Sequence, residues 1–472
     1  MAHSHSHDEP APLTPTQQRQ QRHASRILVI VLVPLAIATF AALLLMWPKN
    51  TQDHIRQDTG IVRLPGTTYQ TGTITGVQEK SCEGQVGTYP GDTSVCATLT
   101  VTVDDGPEAG STQSFDITAP VYRSGATPGQ QVRMYRVPLE GGGSLYSFVD
   151  FERTTPLVFF VALFAVLVVA VARLRGLLAL VGLGFAFFIL IEFMMPNLIQ
   201  GKDPVLVGVV GSAAIMFVVL YTSHGFTTRT TTALVGTLFG LLVAAILGAI
   251  STRWAHLTGV IEEDDFILAA SAPDLNMTSV VICSMIVAAL GALNDVTITQ
   301  ASSVWELART VRKPWDLYRS AMRIGRDHIA STVYTIAFAS AGAALSVLLL
   351  IQIMDARLAD MVVEELFAGE ILRTIIGSIG LVLAVPLTTG IGVLAVTAGR
   401  AVDARSGGPD EDQRAALQHA GHDHGEVVHE VAEQEFARGD VMTDAPRRGK
   451  AAGSGEGSGS PGDDSAFKRP GS

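Results

Sequence analysis

Long apolar stretches alternate with short polar ones along most of this 472-residue chain. About 20 apolar residues cross the roughly 30 Å hydrocarbon core of a bilayer, so stretches of this length with few charges predict spanning helices. The pattern predicts them over Ile27–Trp47, Pro156–Ala172, Gly176–Met195, Pro204–Tyr221, Thr231–Ile250, Thr278–Thr297, Ile329–Ile353 and Leu372–Thr397. The fold class that follows is an α-helical polytopic membrane protein with about eight transmembrane helices. Arg19, Arg22 and Arg26 precede the first stretch, as in a secretory signal. Its apolar run is too long for a signal's middle and no small-residue cleavage site follows Trp47, so the reading is an uncleaved anchor.

Between the first two stretches the pattern changes. Residues 50–153 are polar and rich in Thr, Val and Gly, with period-two alternation in Tyr69-Gln-Thr-Gly-Thr-Ile-Thr and Ala97-Thr-Leu-Thr-Val-Thr-Val. Alternation of this kind predicts strands with one buried face. Gln130-Gln-Val-Arg-Met-Tyr-Arg-Val is a third strand, and Asp104-Asp105-Gly106 a turn. A small extracytoplasmic all-β domain, barrel or sandwich, is expected here. Residues 156–399 then form a seven-helix membrane domain. Residues 1–26 and 400–472 read as disordered cytoplasmic tails, the second ending in a Gly/Ser-rich run.

Lys and Arg near span ends orient the chain. Arg309, Arg312, Lys313, Arg319, Arg323 and Arg326 cluster between spans six and seven, while Glu262, Glu263, Asp264, Asp265, Glu364 and Glu365 lie in alternate loops. One arrangement fits every loop: both termini in the cytoplasm of a bacterial plasma membrane. That topology puts Cys82 and Cys96 on the oxidising side, where a short-loop disulfide is expected, and leaves Cys283 inside span six.

Charge and composition narrow the function. Charged residues make up 16% of the chain, and 33 basic against 44 acidic residues give a net charge of −11, so nucleic-acid binding is not expected. The partner to expect is the lipid bilayer, together with an unidentified small solute or ion; a homo-oligomer is left open. No phosphate-binding loop, His-Glu-x-x-His or Cys-x-x-Cys occurs, so neither an enzyme nor a cofactor is expected. His3, His5 and His7, with His419, His422, His424 and His429 in the other tail, are weak metal-ligand candidates, because a floppy tail lacks a fixed second shell.

The best candidate site is the junction of spans six and seven. Asn294 and Asp295 fall near the inner end of span six, and a carboxylate at membrane depth is a functional candidate. Continued inward as a helix, Asp295, Thr299, Ser302 and Glu306 share one face, with Val304, Leu307, Ala308 and Val311 on another. This predicts an amphipathic extension on the inner membrane surface, with Trp305 at the interface. A second short helix follows Pro314, its face of Arg319, Arg323 and Arg326 expected to pair with Asp295, Asp327 or Glu306, or else to meet anionic lipid. Gly236 and Gly240 in span five, and the small residues of span seven, predict close helix approach. Span eight is expected to break at Pro386, where Thr388, Thr389 and Gly390 interrupt the apolar run.

At these residues the chain resembles the YibE/F family of bacterial membrane proteins. Gly291-Ala-Leu-Asn-Asp-Val-Thr-Ile-Thr-Gln-Ala-Ser-Ser, Tyr318-Arg-Ser-Ala-Met-Arg-Ile-Gly-Arg-Asp-His-Ile-Ala-Ser-Thr-Val-Tyr-Thr and Ala384-Val-Pro-Leu-Thr-Thr carry the resemblance. It runs from the first span to the eighth and departs from the expected pattern at Asn294 and His328. It implies a bacterial plasma-membrane protein and marks Asp295, Arg326 and Asp327 for testing. The function expected is movement of a small solute or ion, with Asp295 and Asp327 binding the cation or proton, Arg326 setting their charge state, and the Pro386 region lining the path. The alternative is a scaffold or signalling protein whose outer β-domain binds a partner or envelope component.

Overall fold

The computed structural model describes residues 30, 32–56, 66–82, 94–139, 142–354 and 357–406. Its polar domain is one five-stranded antiparallel sheet in the order β3-β2-β1-β4-β5: β1 Thr68–Ser81, β2 Val95–Val103, β3 Thr112–Ile117, β4 Gln131–Pro138 and β5 Ser144–Phe151. A short helix, α2 (Ala119–Arg123), joins β3 to β4. The three strands read from alternation are β1, β2 and β4. β3 is short, and β5, as long as β4, is a strand that the alternation did not mark.

The sheet curls until its edges approach, with the rings of Phe115 on β3 and Phe148 on β5 6.4 Å apart. The result is a half-open barrel around Ile74, Leu99, Val101, Val132 and Met134, all at most 1% exposed. Gly72 is required by the crowding inside it. A Cβ there would lie 2.6 Å from both Met134 and Val101. Cys82 and Cys96, at the ends of β1 and β2, are joined by a disulfide with Cα atoms 5.0 Å apart.

The helical part comprises α1 (Leu32–Leu45), α3 (Thr154–Ile189), α4 (Met195–Ile199), α5 (Pro204–His224), α6 (Thr228–Trp254), α7 (Glu263–Ser271), α8 (Met277–Leu307), α9 (Pro314–Ala343), α10 (Leu345–Met354), α11 (Leu358–Met361) and α12 (Glu365–Ser406). Five helices are long and apolar enough to cross a membrane, six if the α9–α10 pair, bent by 67°, counts as one span. The expected eight stretches are therefore not all seen as separate spanning helices, for identifiable reasons. Among the described residues the first stretch is represented by α1, which over those residues is shorter than a span. The second and third share α3, a single stretch broken at Arg173 (φ 53°, ψ −133°). The break is sharp: a Cβ on Gly176 would lie 2.4 Å from the Val168 carbonyl, whereas eight residues of straight helix span about 12 Å.

Two further expectations are corrected. The inner extension of span six is no separate surface helix: α8 runs unbroken for 31 residues, and Val304, Ala308, Leu317, Ala321 and Val393 bury that end against α9 and α12. Span eight does not break at Pro386, since α12 is helical from Glu365 to Ser406. Proline removes one N–H, leaving the carbonyl of Val382 without its backbone donor. In a packed bundle one lost bond does not end a helix.

The packed core is formed by α5, α6, α8 and α12, where Leu234, Leu241, Met285, Ile286, Leu293 and Leu381 are at most 1% exposed. Loops segregate to two ends. At one end His54 Nδ1 meets Asp274 Oδ2 at 2.7 Å, the Arg56 N–H reaches the Ser271 carbonyl at 2.8 Å, and Glu365 accepts from Gly259 N–H at 2.6 Å. The acidic run Glu262–Asp265 lies in this end's α6–α8 connection and starts α7, where Asp265 Oδ2 accepts the Glu262 N–H at 2.9 Å. The opposite end carries the α5–α6 and α8–α9 turns with Arg229, Arg309, Arg312 and Lys313.

Candidate functional site

The functional candidate is a set of polar side chains where α6, α8, α9 and α12 meet. On α6, Gly236 and Gly240 let α12 come close. A Cβ on Gly236 would sit 1.9 Å from Thr388 Oγ1, and one on Gly240 3.2 Å from the Gly380 carbonyl. The small residues thus act as a packing face, as their spacing suggests.

Into this close junction the helices direct hydroxyls and an amide. Thr237 Oγ1 and Thr297 Oγ1 are 2.6 Å apart, joining α6 to α8. The Gln300 Nε2 amide, one turn further along α8, donates to Thr389 Oγ1 at 2.7 Å and to the Ala321 carbonyl of α9 at 3.0 Å. Thr388 and Thr389 also donate to the Ala384 and Val385 carbonyls, each at 2.7 Å. Gly325 gives α9 room to approach, since a Cβ there would be 2.9 Å from Gln300 Oε1. Thr237, Thr297, Thr388 and Thr389 are fully buried and Gln300 is 2% exposed. Buried polar groups are costly unless bonded, and each of these is bonded, Thr237 to Thr297 and Gln300 to Thr389 between helices and Thr388 to a carbonyl of its own helix.

A second group lies toward the acidic end of the same α8–α9 pair. Asp295 Oδ2 is 3.7 Å from His328 Nε2. That separation is too long for a hydrogen bond. His328 Nε2 and Asn294 Oδ1 are both buried atoms without a hydrogen-bond partner. The Asp295 side chain is open on the outer face of the pair.

The sequence-predicted residues divide accordingly. Thr388 and Thr389 line the buried junction, while Pro386 beside them is half-buried. Asn294 and Asp295 lie one to two turns along α8 from Gln300, with Thr299 half-buried between. Arg326 and Asp327 are exposed. The expected pairing of the basic face with Asp295, Asp327 or Glu306 is not what forms: Asp295 faces His328, and Glu306 meets Arg309 at 3.5 Å. Arg319 instead lies 5.7 Å over the Trp315 ring, which stacks on Tyr318. An exposed arginine–aromatic group of this kind suits a membrane interface.

Gln300, Thr297 and Thr237 were not singled out in the sequence, and His328 only as a departure from the family pattern. The available signal was a polar residue on an otherwise apolar face: Thr297 and Gln300 continue the face of Leu293 and Val296. Among the described residues no group of three or more His, Cys, Asp and Glu side chains gathers as a metal site. The tail histidines His3, His5, His7, His419, His422, His424 and His429 lie outside the described residues.

The model of the YibE/F-like protein family matches residues 160–398. The chain belongs to the YibE/F-like family. The matched region runs from within α3 to within α12 and so takes in the junction; it excludes the first span and the β-domain, a shorter stretch than the resemblance was read to cover. No curated protein and no solved structure matches the chain.

Proposed function

We propose that this family member crosses the plasma membrane eight times, with both termini in the cytoplasm, and passes a small solute or ion. The observation that carries this reading is the buried set Thr237, Thr297, Gln300, Thr388 and Thr389, which replaces aliphatic packing at the meeting of four helices. Polar residues inside a membrane bundle are costly and are candidates for a solute or ion pathway, besides bonding helices together. The segregation of Arg229, Arg309, Arg312 and Lys313 to one end of the bundle supports the cytoplasmic placement of that end. Eight crossings follow if α1 continues toward Ile27, α3 counts twice across its break at Arg173, and α9–α10 form one bent span. In this reading Asp295 serves the path near its cytoplasmic half, while Arg326 lies at the lipid interface. No bond is made or broken.

The test is reconstitution of the full chain in lipid vesicles, following entry of H⁺, Na⁺, K⁺, Mn²⁺ and Zn²⁺. Gln300→Leu and Thr297→Val should each lower the flux about tenfold, the factor that matches one lost hydrogen bond of roughly 1.4 kcal/mol. Normal flux in both variants removes the junction from the path.

A second reading, a signalling protein driven from its outer domain, has its own observation. The segment joining α1 to the β-domain is bonded to two loops of the bundle: Gln200 Nε2 donates to the Lys49 carbonyl at 2.9 Å, and Arg56 N–H to that of Ser271 at 2.8 Å. Absence of flux for all five ions, with one dominant partner crosslinked through the β-domain on intact cells, favours this reading.

A further inference from the structure

We propose that Asp295 and His328 form a binding site for a divalent transition-metal cation. The inference deepens the transport reading by naming the class of ion, and it rests on that reading for its physiological meaning but not for its test. The geometry comes first. An ion about 2.1 Å from both His328 Nε2 and Asp295 Oδ2 bridges their 3.7 Å separation at an angle of roughly 120°, within the range of metal coordination.

The unsatisfied atom comes second. His328 Nε2 is a buried atom without a hydrogen-bond partner, on a side chain that is 32% exposed as a whole. A buried acceptor left without a donor calls for a water or an ion. The open Asp295 side chain leaves the remaining coordination positions to water. Imidazole nitrogen with carboxylate oxygen selects zinc, manganese, cobalt or nickel over sodium and potassium, which take oxygen ligands alone.

The surroundings permit the charge. On α9 the flanking groups are Arg326 and Asp327, of opposite sign and both exposed, and the facing segment of α12, Gly380–Val385, holds no titratable side chain. The site adds a single buried nitrogen to a carboxylate whose charge the cation neutralises. The histidines of both tails, placed on the cytoplasmic side by the topology above, fit the same ion class.

The test uses the full chain in detergent, with His3, His5, His7, His419, His422, His424 and His429 changed to Ala so that tail binding does not mask the site. After Zn²⁺ loading and desalting, about one ion per chain should remain, as for a formed site. Co²⁺ in its place should give a visible ligand-field absorption band. His328→Gln and Asp295→Asn should each weaken binding at least about tenfold, and Glu306→Gln should leave it unchanged. Helix content by circular dichroism is checked for each variant, so that loss of fold is not read as loss of ligand. No retained Zn²⁺ in the folded parent, or unchanged binding in a folded His328→Gln variant, overturns the site and leaves an ordinary histidine–aspartate contact. Retained Zn²⁺ without vesicle flux supports the site and overturns transport. Flux of another ion without Zn²⁺ retention does the reverse.

Discussion

Threonine is used in opposite ways in the two halves of this molecule. In the barrel Thr71, Thr73, Thr98, Thr100 and Thr102 alternate along β1 and β2 on the outer face, and the valines, leucines and isoleucines between them point inward. In the bundle Thr230, Thr232, Thr237, Thr252, Thr297, Thr388 and Thr389 are fully buried, while Leu157, Val158, Phe159, Phe160 and Val161 of α3 are each more than half exposed. Water around the barrel drives apolar groups in. Lipid around the bundle removes that drive, and polar groups go inward because an unbonded one facing hydrocarbon is costly. One chain thus sorts its residues by two solvents.

The largest test of this contrast is a charge on an exposed apolar residue. Phe160→Asp should cost about 3 kcal/mol in a membrane-insertion assay, as expected for an acidic residue well inside a span. Tyr69→Asp, a surface change on the barrel that loses the contacts with Tyr135 and Arg133, should shift unfolding by only about 1 kcal/mol. Equal and small effects would place α3 in water.

The disulfide sharpens the same comparison from the aqueous side. A small barrel has a limited core, and the Cys82–Cys96 link closes a loop of sequence separation 14. Replacing both cysteines by Ser should lower the barrel's unfolding free energy by about 3 kcal/mol. The urea midpoint of Trp-free barrel signals, such as tyrosine fluorescence near Tyr146, reports this without disturbing the bundle.

A smaller effect is expected from one substitution made in both halves. Thr297→Val leaves Thr237 without its partner at 2.6 Å and should destabilise the bundle by about 1 kcal/mol. Thr102→Val, on the barrel's outer face, should be neutral within about 0.5 kcal/mol. Thermal unfolding of both variants decides it.

The smallest effect is one of pH. Hydrogen bonds from Lys80 and Thr98 hold the Asp116 carboxyl below its ordinary range, with Lys80 Nζ at 2.6 Å and Thr98 Oγ1 at 2.7 Å. A group whose pKa is lower folded than unfolded stabilises above its unfolded pKa, near 3.9, and that stability is lost as pH falls through the folded value. Being exposed, the pair contributes at most about 0.5 kcal/mol. Asp116→Asn should remove that part of the barrel's acid sensitivity below about pH 4.

Much of this was legible along the chain. Uninterrupted apolar runs marked the helices, and period-two alternation marked β1, β2 and β4. Where the reading fell short, it met geometry that composition does not carry. Pro386 looked like an interruption, yet α12 continues, because its neighbours hold the helix. Asp295 looked like the partner of a basic face, yet its neighbour is His328.

The sequence by itself determined that this chain belongs in lipid and which end of the bundle is basic, because hydrophobic length and charge distribution are properties of residues taken singly. Only the tertiary structure decided that Thr237 meets Thr297, that Gln300 ties α8 to α9 and α12, and that His328 faces Asp295. These are contacts between residues 21 to 89 positions apart, brought together by glycines that let backbones approach. Spacing along one helix predicts which residues share its face, and leaves open which face of another helix will meet it.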